Sequence, residues 1–297
     1  MERNRKMESP DITIVVPAYN EGGAITKTLE GLREVVRRLQ RHVEIIVVDD
    51  GSQDNTGESV RAFPEIKLLR HTINRGYGAS LKTGVHAAHA ETVVITDADG
   101  TYPLDEIPRL LERFEAEKLD MVVGVRTGAR VTYSALRRIP KIFLRRYVNW
   151  ITQSEVPDFN SGLRVFRRSL AVKYTPLLPD GFSFTTTITI AALCNHYHVR
   201  YEPIDYFRRT GKSHIKPIQD TLRFFRLVAT IGMFFAPLRI LGPVIAVSLA
   251  AFLASIIYDV FWEQNLQDKT VVLLTFTFNL ALFGTLADMI RRYREIK

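Results

Sequence analysis

The chain predicts an open, mainly parallel α/β sheet followed by a two-helix membrane anchor. Three observations carry this expectation. Short β-branched runs alternate with stretches of helical spacing through the first half, at the spacing of right-handed crossovers. The runs stop at turns bearing Gly, Asn or Asp, where an open α/β sheet binds its ligands. Two stretches, 240–258 and 270–287, contain no charged residue, and each matches the roughly 20 residues that cross a ~30 Å hydrocarbon core.

Taken in order, residues 11–16 read as a first strand ending at Pro17, and 22–39 as a helix with Leu29, Leu32, Val36 and Leu39 on one face. Residues 43–48 form a second strand that ends in Asp49-Asp50-Gly51-Ser52, with Asp54 placed to cap the next helix. Residues 66–69 are a third strand, and Asn74-Arg75-Gly76-Tyr77-Gly78 opens a helix that runs to about Ala90. The run Thr92 to Thr96 follows, rich in Val, Ile and Thr and free of Gly and Pro, as suits a strand covered on both faces. A further strand, 121–125, ends at Arg126, and a basic, aromatic helix through Tyr147 and Trp150 comes next. Residues 201–207 read as a strand and adjoining loop.

The anchor's orientation follows from flanking charge. Arg239 precedes the first span and Arg291, Arg292, Arg294 and Lys297 follow the second, while the connector from Asp259 to Lys269 holds three acids against one lysine. Basic ends stay in the cytoplasm, which places both termini and the bulk of the chain there. The expected organisation is a polar tail at 1–10, an α/β domain at 11–215, an interfacial amphipathic helix at 216–237 and the anchor at 238–297.

A net charge of +8 is spread along helices and beside the membrane segments, so the expected partner is an anionic membrane surface and not nucleic acid. Cys194 is the single cysteine, which excludes an intramolecular disulfide and leaves no cysteine cluster for zinc. No Gly-x-Gly-x-x-Gly follows the first strand, which argues against a nicotinamide-binding unit. A homo-oligomer is compatible with the chain.

Four polar strand ends fall together: residues 17–21, 49–51, 74–78 and 97–99. Asp97 and Asp99 sit where the fourth strand frays. Side chains two apart share a side while the chain is extended, so both carboxylates can reach one hard divalent cation, Mg²⁺ or Mn²⁺. The constellation describes a nucleotide pocket.

These segments, with Asp158-Phe159-Asn160-Ser161-Gly162 and Arg208-Arg209-Thr210-Gly211-Lys212-Ser213, resemble the ordered motifs of family 2 glycosyltransferases with the GT-A fold. More narrowly, residues 11–236 resemble the polyprenyl-phosphate branch that contains the dolichol-phosphate mannose synthases. The resemblance implies that Pro17, Ala18, Tyr19 and Glu21 line the nucleoside site and Asp50 contacts the base. It implies that Gly78 and Lys82 flank base or ribose, that Ser161 and Gly162 adjoin the donor, and that Asp97 and Asp99 hold diphosphate and metal. Thr101 stands where relatives often carry Gln as an additional metal ligand.

The expected reaction moves a sugar from GDP-mannose or a UDP-hexose to dolichyl or undecaprenyl phosphate, with inversion. No Asp or Glu lies between Gly181 and Arg200, where relatives can carry a base. A lipid phosphate is already ionised and needs cations instead, for which Arg126, Arg137 and Arg208 are candidates, with Arg209, Lys212 and Ser213 beside them. Two other readings are a transferase that extends a saccharide acceptor and a catalytically silent nucleotide-sugar-binding membrane protein.

Overall fold

The computed structural model describes residues 9–127, 145–181, 183–207 and 229–296. Its centre is a seven-stranded sheet in the order β3-β2-β1-β4-β6-β5-β7. The strands are β1 (Ile12–Ala18), β2 (Val43–Asp49), β3 (Lys67–Arg70), β4 (Thr92–Ile95), β5 (Met121–Arg126), β6 (Arg164–Arg167) and β7 (Val199–Ile204). All neighbours pair in parallel except β6, which runs antiparallel between β4 and β5. The expectation of an open, mainly parallel sheet holds; β6 is the strand that sequence reading did not assign.

Alternation along each strand sends side chains into two separate cores, one on each face. Ile12, Ile14 and Val16 of β1, with Val94 of β4 and Val165 of β6, meet helices α1 (Ile25–Leu39), α2 (Thr56–Arg61) and α4 (Ile107–Ala116). Val15, Val93, Ile95 and Phe166 face the opposite core, built with α3 (Tyr77–Ala87), α5 (145–152), α6 (Arg168–Tyr174) and α7 (Phe184–Cys194). On α1 the buried stripe is Ile25, Leu29, Leu32 and Val35, and each such side chain contributes about 1.5–3 kcal/mol relative to exposure. Gly84 lets α3 lie close on β1, because a Cβ there would sit 2.3 Å from Val15 Cγ1.

Residues 229–235 form a short helix, α8. It breaks at Ala236, whose backbone (φ −143°, ψ 56°) lies outside the helical region that a following proline disfavours. Pro237 then opens α9 (Pro237–Tyr258), and α10 (Asp268–Ile296) returns beside it. Both helices are long and apolar enough to cross a membrane. Most of the interfacial segment expected at 216–237 lies outside the described residues.

The connector is shorter than the expected 259–269. Asp259–Glu263 continues the helix as a π turn, and Asp268 already belongs to α10. Asp259 is fully buried in this turn, where its Oδ2 accepts Gln267 N–H (2.9 Å) and Thr270 Oγ1–H (2.6 Å) and Lys269 lies 3.3 Å from Oδ1. An acid expected in a solvated loop therefore closes the hairpin. Ser248 and Thr277 add a hydroxyl–hydroxyl bond (2.6 Å) between the helices, away from lipid.

The anchor meets the α/β domain through few but specific contacts. Arg239 donates to Ile151 O at the end of α5, and the Phe235 ring stands edge-on to Tyr174 at 5.7 Å. The start of α9 is thereby fixed against the core beneath the sheet.

Candidate active site

The loops after β1, β2 and β3 zip together at the carboxyl edge of the sheet. Asn20, in the left-handed region (φ 54°), donates its N–H to Ser52 Oγ (2.9 Å) and accepts from Gln53 N–H (2.9 Å). Glu21 N–H donates to Thr56 Oγ1 (2.9 Å), while Asp54 accepts both N–H and Oγ1–H of Thr56; the N-cap of α2 is Asn55, one position later than the cap expected at Asp54. Beside this seam opens a cleft of about 660 Å³ lined by Tyr19, Gly51, Ser52, Arg70, His71 and Ile73. Tyr19 is exposed at its wall, whereas Pro17 and Ala18 are buried within β1 and shape the cleft only through the backbone. Glu21 is half-buried at the start of the β1–α1 loop.

Asp50 is nearly inaccessible, next to Gly51 and His71 of the cleft lining. Its Oδ1 accepts from His71 Nδ1 (2.6 Å) and Arg75 N–H (2.9 Å), and its Oδ2 accepts Gly76 N–H (2.7 Å). The residue expected to touch a base therefore also holds the loop after β3. Gly76 adopts φ +105°, which only glycine accepts readily, and a Cβ there would meet Asp180 O at 2.5 Å.

Gly78 and Lys82 have a structural duty that spacing did not reveal. A Cβ on Gly78 would stand 2.1 Å from Pro179 O, so glycine is required for the close approach of the 179–181 turn. Lys82 Nζ donates to Leu178 O (3.0 Å) and pairs with Asp180, binding α3 to the same turn. Both were expected at base or ribose; the structure shows them clamping a neighbouring segment.

Asp97 and Asp99 emerge past β4 on opposite sides of Ala98. Asp97 Oδ1 accepts Tyr77 Oη–H (2.9 Å), and burial followed by the charge of Asp97 pushes the Tyr77 phenol well above its ordinary value, so it remains a donor. A Cβ on Gly162 would lie 2.7 and 2.8 Å from the two Asp97 oxygens. The carboxylate thus rests in a cradle that only a glycine leaves open. Gly162 N–H in turn donates to Tyr102 Oη (2.6 Å), and Ser161 is fully buried beside it. Asp99 is 8% exposed, and its Oδ1 accepts both Oγ1–H (2.7 Å) and N–H (3.1 Å) of Thr101. Thr101, which stands where relatives often carry a ligating Gln, therefore orients Asp99.

Paired carboxylate oxygens on a strand end are the donor set that Mg²⁺ or Mn²⁺ takes, and the Gly162 cradle keeps one of them in place. The residues fit a divalent cation. Among the described residues no cluster of three or more His, Cys, Asp or Glu side chains gathers there, so water and phosphate oxygens would complete the shell.

Arg126 was expected to grip an acceptor phosphate. The structure shows its fork engaged: Nε and Nη2 donate to Asp158 Oδ2 (2.7 Å) and Oδ1 (2.9 Å), and the guanidinium lies over the Tyr206 ring at 5.3 Å. Burial opposes ionisation of both partners, but the forked bond and mutual charge more than offset it. Arg126 is held above its ordinary value and Asp158 below the usual carboxylate range. Arg137, Arg208, Arg209, Lys212 and Ser213 lie outside the described residues.

The residue most clearly missed is Arg164. It is fully buried in the middle of the sheet, opposite Ile95 and Val123. It donates to Ser161 O (2.7 Å), Phe159 O (2.8 Å), Thr185 O (3.0 Å) and Thr189 Oγ1 (2.6 Å), stitching the 158–162 loop to α7. Burial lowers its pKa, and the fixed carbonyls compensate its charge. The available signal was its position: it alternates with Leu163 and Val165 and shares a face with Phe166, which is a buried strand site.

The model of the family described as "Glycosyl transferase family 2" matches residues 13–175. An undecaprenyl-phosphate 4-deoxy-4-formamido-L-arabinose transferase from Pseudomonas paraeruginosa is 32% identical over 58% of this chain and 54% of its own. The enzyme of the same name from Pseudomonas fluorescens is 30% identical over 81% of this chain and 69% of its own. The chain thus spans between about half and two thirds of the length of these curated relatives. Glucosyl-3-phosphoglycerate synthase from Mycobacterium tuberculosis, solved with Mn²⁺, UDP and glucosyl-3-phosphoglycerate, superposes with a TM-score of 0.57 at 21% identity, over 75% of this chain and 79% of that one. The sheet is accordingly of GT-A type, and the chain belongs to glycosyl transferase family 2.

Proposed function

We propose that the protein is a membrane-anchored, metal-dependent, inverting transferase that moves a sugar from a GDP- or UDP-linked donor to a polyprenyl phosphate at the cytoplasmic leaflet. The observation that carries this reading is the Asp97–Asp99 pair at the end of β4, cradled by Gly162 and oriented by Tyr77 and Thr101, beside a cleft large enough for a nucleoside. Relatives named as undecaprenyl-phosphate transferases, and a fold neighbour solved with Mn²⁺ and UDP, support the two substrate classes.

Each group has a role in this scheme. The cleft walled by Tyr19 receives the base, next to Asp50. Asp97 and Asp99 hold the cation. A bound divalent cation would neutralise the charge that develops on the departing diphosphate. Arg126, Arg137, Arg208, Arg209, Lys212 and Ser213 gather the acceptor phosphate and hold its oxygen in line with the anomeric carbon, where positioning supplies most of the rate. Arg126 contributes through the edge of its guanidinium that Asp158 leaves uncovered.

No base is needed, since the acceptor oxygen is ionised at neutral pH. The buried, Thr-rich α7 supports this: it has no carboxylate to offer a sugar hydroxyl. In the proposed organisation 11–215 is catalytic, 216–237 lies at the interface, and α9 and α10 anchor the chain with both ends in the cytoplasm. The test is direct: purified full-length protein is incubated with Mg²⁺ or Mn²⁺, polyprenyl phosphate and a panel of labelled nucleotide sugars. Transfer to lipid phosphate is expected from one or two donors, and transfer only to saccharide acceptors would refute it.

A further inference from the structure

The cleft holds a group that the reaction scheme leaves unused. His71, the first residue after β3, is 8% exposed and bonded on both sides of its ring: Nδ1 to Asp50 Oδ1 at 2.6 Å and Nε2 to Thr83 Oγ1 on α3 at 3.0 Å. Its backbone N–H donates to Asp49 O (2.9 Å), which fixes the main chain on which the ring is carried. An ionised carboxylate only accepts, so Nδ1 bears the hydrogen toward Asp50. Thr83 Oγ1 meets Nε2 on the other side of the ring, so both nitrogens are engaged. The line Thr83–His71–Asp50 thus runs from the third helix, through a ring that lines the cleft, to a buried carboxylate.

Asp50 takes three donors in all, from His71, Arg75 and Gly76. The two amides come from a loop that turns through Gly76 in a glycine conformation, and that loop also carries Ile73, 70% exposed at the cleft mouth. Of the three, only the imidazole is a side chain held rigidly from a helix. With Oδ1 taking His71 and Arg75 and Oδ2 taking Gly76, the imidazole fixes the orientation of Oδ1.

We propose that His71 is a positioning residue for nucleotide recognition: braced by Thr83, it locks the Asp50 carboxylate to accept from a base bearing a ring N–H next to a carbonyl. Uracil and guanine carry that group. Adenine and cytosine do not. The inference rests on the donor reading above, which places the base in this cleft.

The test measures affinity of the full-length protein for UDP, GDP, CDP and ADP, with donor KM and kcat alongside, in His71→Phe, His71→Asn, Thr83→Val and Asp50→Asn. His71→Phe removes a charge-assisted bond and is expected to weaken the preferred nucleotide about ten- to a hundredfold, raising donor KM while kcat at saturation stays within about threefold. His71→Asn places an amide N–H close to the position of Nδ1, so most of the affinity returns. Thr83→Val weakens binding less than His71→Phe and adds nothing in the His71→Asn background, because the shorter side chain no longer reaches Thr83. If His71→Phe binds all four nucleotides as the parent does while Asp50→Asn is impaired, the inference falls and the donor reading stands. If Asp50→Asn is also unimpaired, the base is elsewhere and both fall. Equal losses in His71→Phe and His71→Asn, with lowered thermal midpoints, reduce His71 to packing and overturn the proposal.

Discussion

Replacing Gly162 by Ala probes the site without replacing a charged group. The new methyl would stand 2.7 and 2.8 Å from Asp97 Oδ1 and Oδ2 and 3.0 Å from its Cγ. To reach ordinary contact at 3.4 Å, the carboxylate or the 161–162 turn must retreat by about 0.7 Å. The turn is the less free to move, because Tyr102 receives Gly162 N–H and Arg164 holds Ser161 O. Metal–oxygen bonds tolerate about 0.2 Å, and misplacements near 1 Å cost about a hundredfold in rate. Gly162→Ala should therefore lower kcat/KM by roughly ten- to a hundredfold, which is about 1.4–2.7 kcal/mol of transition-state stabilisation, and overpacking should cost about 1–3 kcal/mol of stability. Two assays separate these effects: Mn²⁺ titration of the protein with bound nucleoside diphosphate, and thermal unfolding. Parental Mn²⁺ affinity and parental turnover in a folded Gly162→Ala protein would refute Asp97 as the cradled ligand.

Three further outcomes are expected. Asp99→Ala should abolish turnover while the fold persists, whereas Thr101→Ala, which removes only the orienting hydroxyl, should retain measurable activity with weaker metal affinity; activity assayed at limiting Mg²⁺ or Mn²⁺ checks both. Asp158, held below its usual range by Arg126, contributes stability that is present in full above its unfolded value near pH ~4 and is lost as the pH falls through the depressed folded value. Acid unfolding followed by fluorescence should show that Asp158→Asn, unstable at neutral pH already, loses this part of the acid transition. A cysteine at Gln264, between the π turn and α10, should react with an impermeant reagent in intact cells; labelling only after permeabilisation would reverse the proposed orientation.

How much of this was legible in the chain depended on how local the signal was. The strands β1, β2 and β4 are self-announcing, because strands buried on both faces read as uninterrupted Val, Ile and Thr. The strand ends followed, and with them Asp97, Asp99 and Asp50. What stayed hidden required partners distant in sequence. Gly78 meets Pro179 and Lys82 meets Asp180, about a hundred residues away, and no spacing within one motif exposes such a pair. Arg126 looked available for phosphate because its partner, Asp158, is 32 residues on. The four-residue β6 carries an arginine at each end, so hydropathy conceals it. Only its insertion between β4 and β5 makes it a strand.

That insertion sets an order for biosynthesis. The four strands from β3 to β4 are complete once Ile95 has emerged, but the strand that pairs with β4 begins only at Arg164. At translation rates of about 5–20 residues per second, the β4 edge waits some 3–14 s for its cover. During that interval a Thr-Val-Val-Ile strand presents unpaired N–H and C=O groups next to apolar side chains, the pattern that recruits other chains. β5 is made first yet cannot close the sheet, since it pairs with β6 and β7 and not with β4. The nascent half-sheet is thus a client for chaperones. Substitutions that slow β6 from docking should lower the yield of folded protein long before they alter the stability of the finished one.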